Sequence, residues 1–189
     1  MKTFTRSALF VAALSLAMNG VGSAATINGS LPLSGVNAVQ NGATLALSTV
    51  ITSTATVTSG DGAGDFLPVP LFTDFGPTIL DLADLASFSI FNAVYGSFIA
   101  DGVGNVIVGQ DADFLDVYLR GTYTGLAGFE PSDASLRISV NQSGSSISQA
   151  ITLNAPAVAP PGEVPEPATL ALSGLALIAL GVLRVVRTA

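Results

Sequence analysis

Three residue types that carry much of protein chemistry are missing from this chain. It has no cysteine, no histidine and no tryptophan, and its single lysine is Lys2. Without cysteine there are no disulfides and no thiolates. Without histidine, cysteine or an internal lysine, the common nucleophile systems and imidazole metal ligands are excluded. Carboxylates and three tyrosines remain for acid–base work, so we expect a protein that is not an enzyme and has no cofactor.

Positive charge is scarce in the middle of the chain. Between Thr26 and Gly162, ten Asp and one Glu are opposed only by Arg120 and Arg137, which leaves nine net negative charges. Such a surface repels phosphate groups, so nucleic acid is excluded as a partner. Acidic surfaces favour solubility and can hold cations.

Long apolar runs are confined to the two ends. At the N-terminus, Lys2 and Arg6 precede an apolar stretch from Ala8 to Met18, and small residues follow as far as Ala25. This arrangement is typical of a secretory signal peptide, with cleavage after Ala25. We therefore predict that residues 1–25 are removed by signal peptidase after export through the Sec translocon. An uncleaved N-terminal anchor is the alternative.

The C-terminal run is preceded by a short proline motif. Pro165, Glu166 and Pro167 lead into sixteen mostly apolar residues from Ala168 to Leu183, which contain no acid. As a helix with about 1.5 Å of rise per residue, this run spans roughly 24 Å, not far below the ~30 Å hydrocarbon core of a bilayer. We predict a single transmembrane helix, with the arginines that follow it retained at the cytoplasmic face.

Together these C-terminal features resemble the PEP-CTERM sorting signal of Gram-negative bacteria. In that signal a Pro-Glu-Pro motif, a transmembrane helix and a basic tail are recognised by an exosortase, which cuts near the motif. Pro165, Glu166 and Pro167 correspond to the motif, and Arg184 and Arg187 to the basic tail, although they are not contiguous. The resemblance implies an exosortase as partner and an inner-membrane intermediate. It further implies a final place at the cell surface or outside the cell, in the context of exopolysaccharide and biofilm.

The region between the two ends shows strand patterns and almost no helix pattern. Thr44 to Thr58 is rich in β-branched residues and is followed by a Gly/Asp turn cluster. Leu136, Ile138 and Val140 alternate with polar residues, as in a strand with one buried face. Only Ile79 to Ala86 predicts a short helix or turn. Further strands are predicted at Phe88 to Ile90, Val94 to Ile99, Gly104 to Val108, Phe114 to Tyr123 and, after a hairpin loop over Asn141 to Ser146, Ile147 to Asn154.

Eight or nine short strands separated by turns are typical of an all-β domain. We predict an antiparallel β-sandwich or jelly roll over residues 26–154. Residues 155–163 contain three prolines and predict a semi-rigid spacer that holds the domain up to roughly 25 Å from the membrane. Residues 164–189 form the predicted sorting signal.

The densest acidic group is formed by Asp111, Asp113 and Asp116. In a loop, all three could converge on Ca²⁺, which takes six to eight oxygen ligands, although the glycine and terminal glutamate of an EF-hand loop are missing. In a strand, Asp111 and Asp113 would share one face. Turn formation and solvated charge are the simpler interpretation, and a catalytic carboxylate pair is the third.

Three functions fit these observations. The first is a non-enzymatic surface or extracellular matrix protein, sorted and cleaved by an exosortase and associated with exopolysaccharide or biofilm. The second is a carbohydrate- or calcium-binding surface module, in which Tyr95, Tyr118 and Tyr123 could line a sugar-binding face, although packing is the more ordinary use of such rings. The third is a secreted hydrolase with paired carboxylates. We expect the first, with a permanent single-pass membrane anchor as the alternative role of the tail.

Overall fold

Residues 25–160 are described by the structure, a computed structural model. Over this range the chain forms fourteen β-strands and two single-turn 3₁₀ helices, at Leu45–Leu47 and Leu85–Ser87. The predicted all-β class is confirmed. The strands are β1 (Ala25–Thr26), β2 (Gly29–Val36), β3 (Val39–Gln40), β4 (Val50–Ser53), β5 (Ala55–Thr58), β6 (Ala63–Gly64), β7 (Thr78–Asp81), β8 (Ser89–Asn92), β9 (Gly96–Ala100), β10 (Val106–Gln110), β11 (Phe114–Thr124), β12 (Phe129–Glu130), β13 (Ser132–Ser143) and β14 (Ser146–Ala155).

Most of these strands join one large antiparallel sheet. Its order is β5-β2-β14-β13-β11-β9-β8, and beside this path β10 pairs with β11 and β6 with β2. A smaller sheet has the order β3-β4-β7, and β1 pairs in parallel with β12. The three longest strands, β11, β13 and β14, lie together in the middle of the large sheet, so its centre is a continuous platform.

The inner face of the large sheet packs on the hydrophobic core. Leu136, Ile138 and Val140 of β13 are fully buried, which confirms the alternation predicted for this strand. Buried aromatic rings belong to this core, and Phe66 meets Tyr123 edge to face with ring centroids 5.2 Å apart. One core serves both sheets, so the architecture is sandwich-like.

The run from Thr44 to Thr58 does not form one strand as its β-branched composition predicts. It contains a 3₁₀ turn, then β4 in the small sheet and β5 in the large sheet. Thr54 forms the corner between the two strands: its N–H donates to the Val36 carbonyl at 3.0 Å, and its hydroxyl accepts from the Asn37 side chain at 3.3 Å. β-branching favours extended backbone, but it does not reveal where a chain leaves one sheet for another.

The segment from Ile79 to Ala86 also differs from its prediction. Its first part belongs to β7, where Leu80 is buried and Ile79 is exposed, and only its end reaches the 3₁₀ turn at Leu85–Ser87. The acids between the leucines suggest a helix or turn, whereas pairing with β4 makes the first three residues of the segment, Ile79 to Asp81, part of a strand.

The remaining predicted strands are confirmed as β8, β9, β10, β11 and β14, with boundaries that move by at most two residues. The hairpin loop predicted over Asn141 to Ser146 narrows to two residues. Ser143 pairs with Ser146, and Gly144 between them has a φ of 60°. A two-residue hairpin turn needs such positive φ values, which glycine adopts without strain.

Within residues 25–160 we find no helix with the length and apolar character needed to cross a membrane. The predicted transmembrane helix, the basic tail and the predicted signal peptide up to residue 24 lie outside the described residues. Ala25, the predicted cleavage residue, is the first residue of β1 and pairs with Phe129.

Candidate functional site

The outer face of the large sheet carries both arginines of the domain. In the register of β11 and β13, Tyr118 lies opposite Arg137 and Arg120 lies opposite Ser135. Residues directly opposite each other in an antiparallel pair project to the same side of the sheet. The alternation that turns leucine and valine toward the core therefore places Arg120 and Arg137 together on the outside.

Arg137 is held by a buried carboxylate. Its Nε donates to Asp116 Oδ1 at 3.0 Å, and its Nη2 donates to Asp116 Oδ2 at 2.6 Å. Ser139 Oγ donates to Asp116 Oδ1 at 3.3 Å. The Asp116 side chain is only 3% exposed, whereas that of Arg137 is 49% exposed. The hydrogen bond to Asp116 raises the pKa of Arg137 above its usual value, so the guanidinium stays charged. Its positive charge lies directly beside the Asp116 carboxylate.

The ion pair of Arg120 is longer and more exposed than that of Arg137. Its Nη2 lies 3.6 Å from Asp133 Oδ2, and the two side chains are 49% and 74% exposed. An exposed ion pair of this kind contributes little to stability. The backbone N–H of Arg120 donates to Asn105 Oδ1 at 2.7 Å, which ties the loop before β10 to this face. Arg120 is thus the arginine whose charge is available to a ligand.

Residues 156–160, which we call the strap, follow β14 and lie across this face. The Tyr118 hydroxyl donates to the Val158 carbonyl, and the Val158 N–H donates to Ser135 Oγ at 3.0 Å. Tyr118 and Ser135 are both buried although they belong to the outer face, and they come from the two central strands. Both backbone polar groups of Val158 are therefore bonded to the domain. Of the predicted spacer, Ala155 is the last residue of β14 and the next five residues form the strap.

Two cavities flank the strap. The larger, of about 660 Å³, lies between the strap, the loop before β10 and β11, and Asn105, Arg120 and Asp133 contribute its polar groups. The smaller, of about 250 Å³, lies on the other side and is lined by Arg137, Asn154 and residues around them. Tyr118 and Val158 contact both cavities. The strap thus occupies the middle of a groove that continues on either side of it.

The three predicted calcium ligands have different surroundings in the structure. Asp111 Oδ1 accepts the N–H groups of Asp113 and Phe114 at 2.9 and 2.7 Å, which is the turn chemistry described above. Asp113 is exposed at the tip of this turn. Asp116 is bonded to Arg137. Among residues 25–160, no group of three or more Asp or Glu side chains has an arrangement that could hold a metal ion.

Sequence reasoning missed the strap and its two anchors. The sequence predicts packing or sugar binding for the Tyr118 ring and gives no reason to single out Ser135. Tyr118 stands between Asp116 and Arg120 at the outward positions of an otherwise regular strand. A single aromatic ring among polar outward residues is ordinary at a protein surface, so it does not indicate a covering segment. The proline-rich segment that covers it is 40 residues away in sequence, so no local pattern joins them.

Residues 163–187 match the family model of the PEP-CTERM protein-sorting motif. The match begins three residues after the end of the strap and includes Pro165, Glu166, Pro167, Arg184 and Arg187. It confirms the resemblance found in the sequence. Neither the curated proteins nor the solved structures contain a match to this chain.

Proposed function

The chain carries a PEP-CTERM sorting motif and is therefore an exosortase-sorted protein that is exported toward the cell surface; from this premise we propose that it is a non-enzymatic component of the bacterial surface or extracellular matrix. In this proposal signal peptidase removes residues 1–25, the tail crosses the inner membrane, and exosortase cuts near Pro165, Glu166 and Pro167. The released domain then associates with exopolysaccharide or biofilm.

The observation that carries this proposal is the position of the motif relative to the domain. β14 ends at Ala155, the strap follows directly, and the matched region begins at residue 163. The β-domain is therefore the cargo that the motif delivers. An acidic domain without cysteine suits this role, because it needs no disulfide oxidation after export and stays soluble through its charge.

The chemistry of the described residues supports a non-enzymatic role. Asp116, a buried carboxylate, is bonded to Arg137 in an ion pair within the sheet. Tyr123, a buried phenol, donates to the Tyr95 carbonyl at 2.6 Å, and desolvation raises its pKa further from neutrality. A phenol held in this way does not transfer protons near pH 7.

Mass spectrometry of the exported protein tests the proposal. The full-length chain is expressed in a bacterium with an active exosortase, and intact masses of the surface and medium fractions are measured. A mature form that begins at Thr26 and ends near Pro165 to Pro167 supports it. A surface form that retains Ala189 contradicts cleavage and supports a permanent membrane anchor. Replacement of the motif by Ala-Ala-Ala is the matched control, and it should leave the tail intact.

A second candidate function is a carbohydrate-binding surface module. The larger cavity beside the strap favours it, because Arg120, Asn105 and Asp133 offer donors and acceptors that suit sugar hydroxyls and carboxylates. Calorimetric titration of the exported protein with purified exopolysaccharide tests this role. Binding that weakens at least about tenfold in Arg120→Ala supports it, whereas equal binding by both proteins contradicts use of this cavity.

A further inference from the structure

The strap shortens the connection between the domain and its sorting motif. Val158 is bonded to the domain at both backbone groups, and Pro165 is seven residues further along the chain. Seven steps span at most about 25 Å in any conformation, at up to 3.6 Å per residue. With the strap released, the connection starts at Ala155, and the ten steps to Pro165 span up to about 36 Å.

The large sheet of the domain is wider than the shorter of these connections is long. The main path of the large sheet contains seven strands, and neighbouring strands lie about 4.8 Å apart, so the sheet is roughly 29 Å across. A body of this width that is attached within about 25 Å of Pro165 restricts the approach to the motif. A protease must enclose an extended segment around its cleavage point, so the shorter connection leaves it less room than the longer one.

We propose that Tyr118 and Ser135 are positioning residues for the exosortase reaction: they hold the strap on the domain, and the strap must leave them before the motif can be cut. The inference rests on the processing proposed above. Only the released population is then a substrate, so the observed rate falls by the fraction of chains in which the strap is bound. The two anchors, which come from β11 and β13, thus link completion of the sheet to the presentation of the motif.

The strength of the anchors sets the size of the expected effect. A typical net hydrogen bond changes an equilibrium constant by roughly 2- to 12-fold. Loss of one anchor should therefore increase the initial rate of cleavage by roughly 2- to 10-fold while most straps are bound. Loss of both should increase it further, until release is no longer limiting.

The test is a pulse-chase experiment with the full-length chain in cells that contain exosortase. Tyr118→Phe and Ser135→Ala each remove one anchor, and both should convert precursor to mature protein faster than wild type. The matched control is Tyr123→Phe, which also loses one bond from a buried tyrosine to a backbone carbonyl, at a place far from the strap. It should be processed at the wild-type rate. Equal rates for Tyr118→Phe and wild type, or equal acceleration by Tyr123→Phe, would overturn the inference.

A second variant leaves the domain unchanged. Insertion of eight Gly/Ser residues after Pro160 lengthens the connection without touching the anchors, so it should accelerate cleavage to the level of the anchor variants. In the lengthened chain Tyr118→Phe should have no additional effect. If Tyr118→Phe accelerates cleavage of the lengthened chain as much as that of the original chain, the substitution acts through domain stability and not through the strap.

Hydrogen exchange separates failure of this inference from failure of the proposed function. In the purified wild-type precursor, the Val158 amide should be protected from exchange. In Ser135→Ala, which removes the acceptor of this amide, its protection factor should fall at least about twofold. Unprotected exchange in wild type would refute the strap contact itself. A wild-type precursor that is never cut, with protection intact, would refute exosortase processing and with it the role of the anchors.

Discussion

Replacement of Arg137 should destabilise the domain more than replacement of the carboxylate to which it is bonded. Arg137→Met removes all the charge-assisted hydrogen bonds to Asp116, whose side chain is 3% exposed. Asp116 would keep only the Ser139 hydroxyl, at 3.3 Å. Asp116→Asn instead leaves Arg137 at the surface, where half of its side chain is already in contact with water.

The loss in free energy of unfolding that each of these two replacements causes can be estimated from burial. Loss of one partner of a fully buried ion pair costs about 3–5 kcal/mol, because the other charge is left without compensation. Water reaches the half-exposed position of Arg137, so we expect a reduced cost of about 2–3 kcal/mol for Arg137→Met. For Asp116→Asn we expect about 1 kcal/mol, the scale of one net hydrogen bond. The double variant should cost less than the sum of the two, since neither charge remains.

Urea unfolding followed by circular dichroism measures these differences, with the free energy taken from the midpoint and slope. Arg120→Met is the matched control, because the other arginine of the same sheet face has a partner that is largely exposed. Its cost should stay within about 0.5 kcal/mol. The reasoning fails if Arg137→Met is as mild as Arg120→Met, or if Asp116→Asn is the more costly change of the ion pair.

Three further predictions concern alkaline stability, packing and calcium. Burial raises the pKa of Tyr123, so the folded state keeps a proton that an unfolded tyrosine loses near pH 10. The contribution of this proton to the free energy of unfolding should be fully present below pH 10. Above pH 10 the free energy of unfolding should fall by up to about 1.4 kcal/mol per pH unit. Urea midpoints at pH 8, 10 and 11 should show this fall, and Tyr123→Phe should flatten it. Gly121→Ala should cost about 2 kcal/mol or more in urea unfolding, because its Cβ would lie 2.0 Å from the Ile99 carbonyl oxygen; a cost under 0.5 kcal/mol would show that β9 can move away. Calcium at millimolar concentration should leave the melting temperature unchanged, since Arg137 already neutralises Asp116; a rise of several degrees that a chelator reverses would contradict this.

Much of the architecture could be read from local patterns. The strand that became β13 was visible because Leu136, Ile138 and Val140 recur with the period of two that a half-buried strand requires. The predicted lengths of β11 and β14 are close to the observed ones for the same reason. Patterns of this kind report which face of a segment is buried, but they do not report what lies on the other side. The split of the run from Thr44 to Thr58 between two sheets was therefore hidden.

The candidate site was less predictable than the strands. Asp111, Asp113 and Asp116 are close in sequence, and their proximity suggested one cation site. The fold instead assigns them to a turn and to an ion pair, because Asp116 lies on β11 beside Arg137, which is 21 residues away. Distance along the chain was in this case a poor guide to which charges neutralise each other.

What the sequence alone determined are the properties that are local or compositional. The absence of histidine and cysteine and the acidic charge of the middle region are matters of composition. The Pro-Glu-Pro motif and the apolar run after it lie within one short segment. Tertiary structure alone decided that Tyr118 and Ser135 would bind Val158 and that the two arginines would share one face. Those contacts join strands and a strap 23 to 40 residues apart, and only the register of the sheet brings them together.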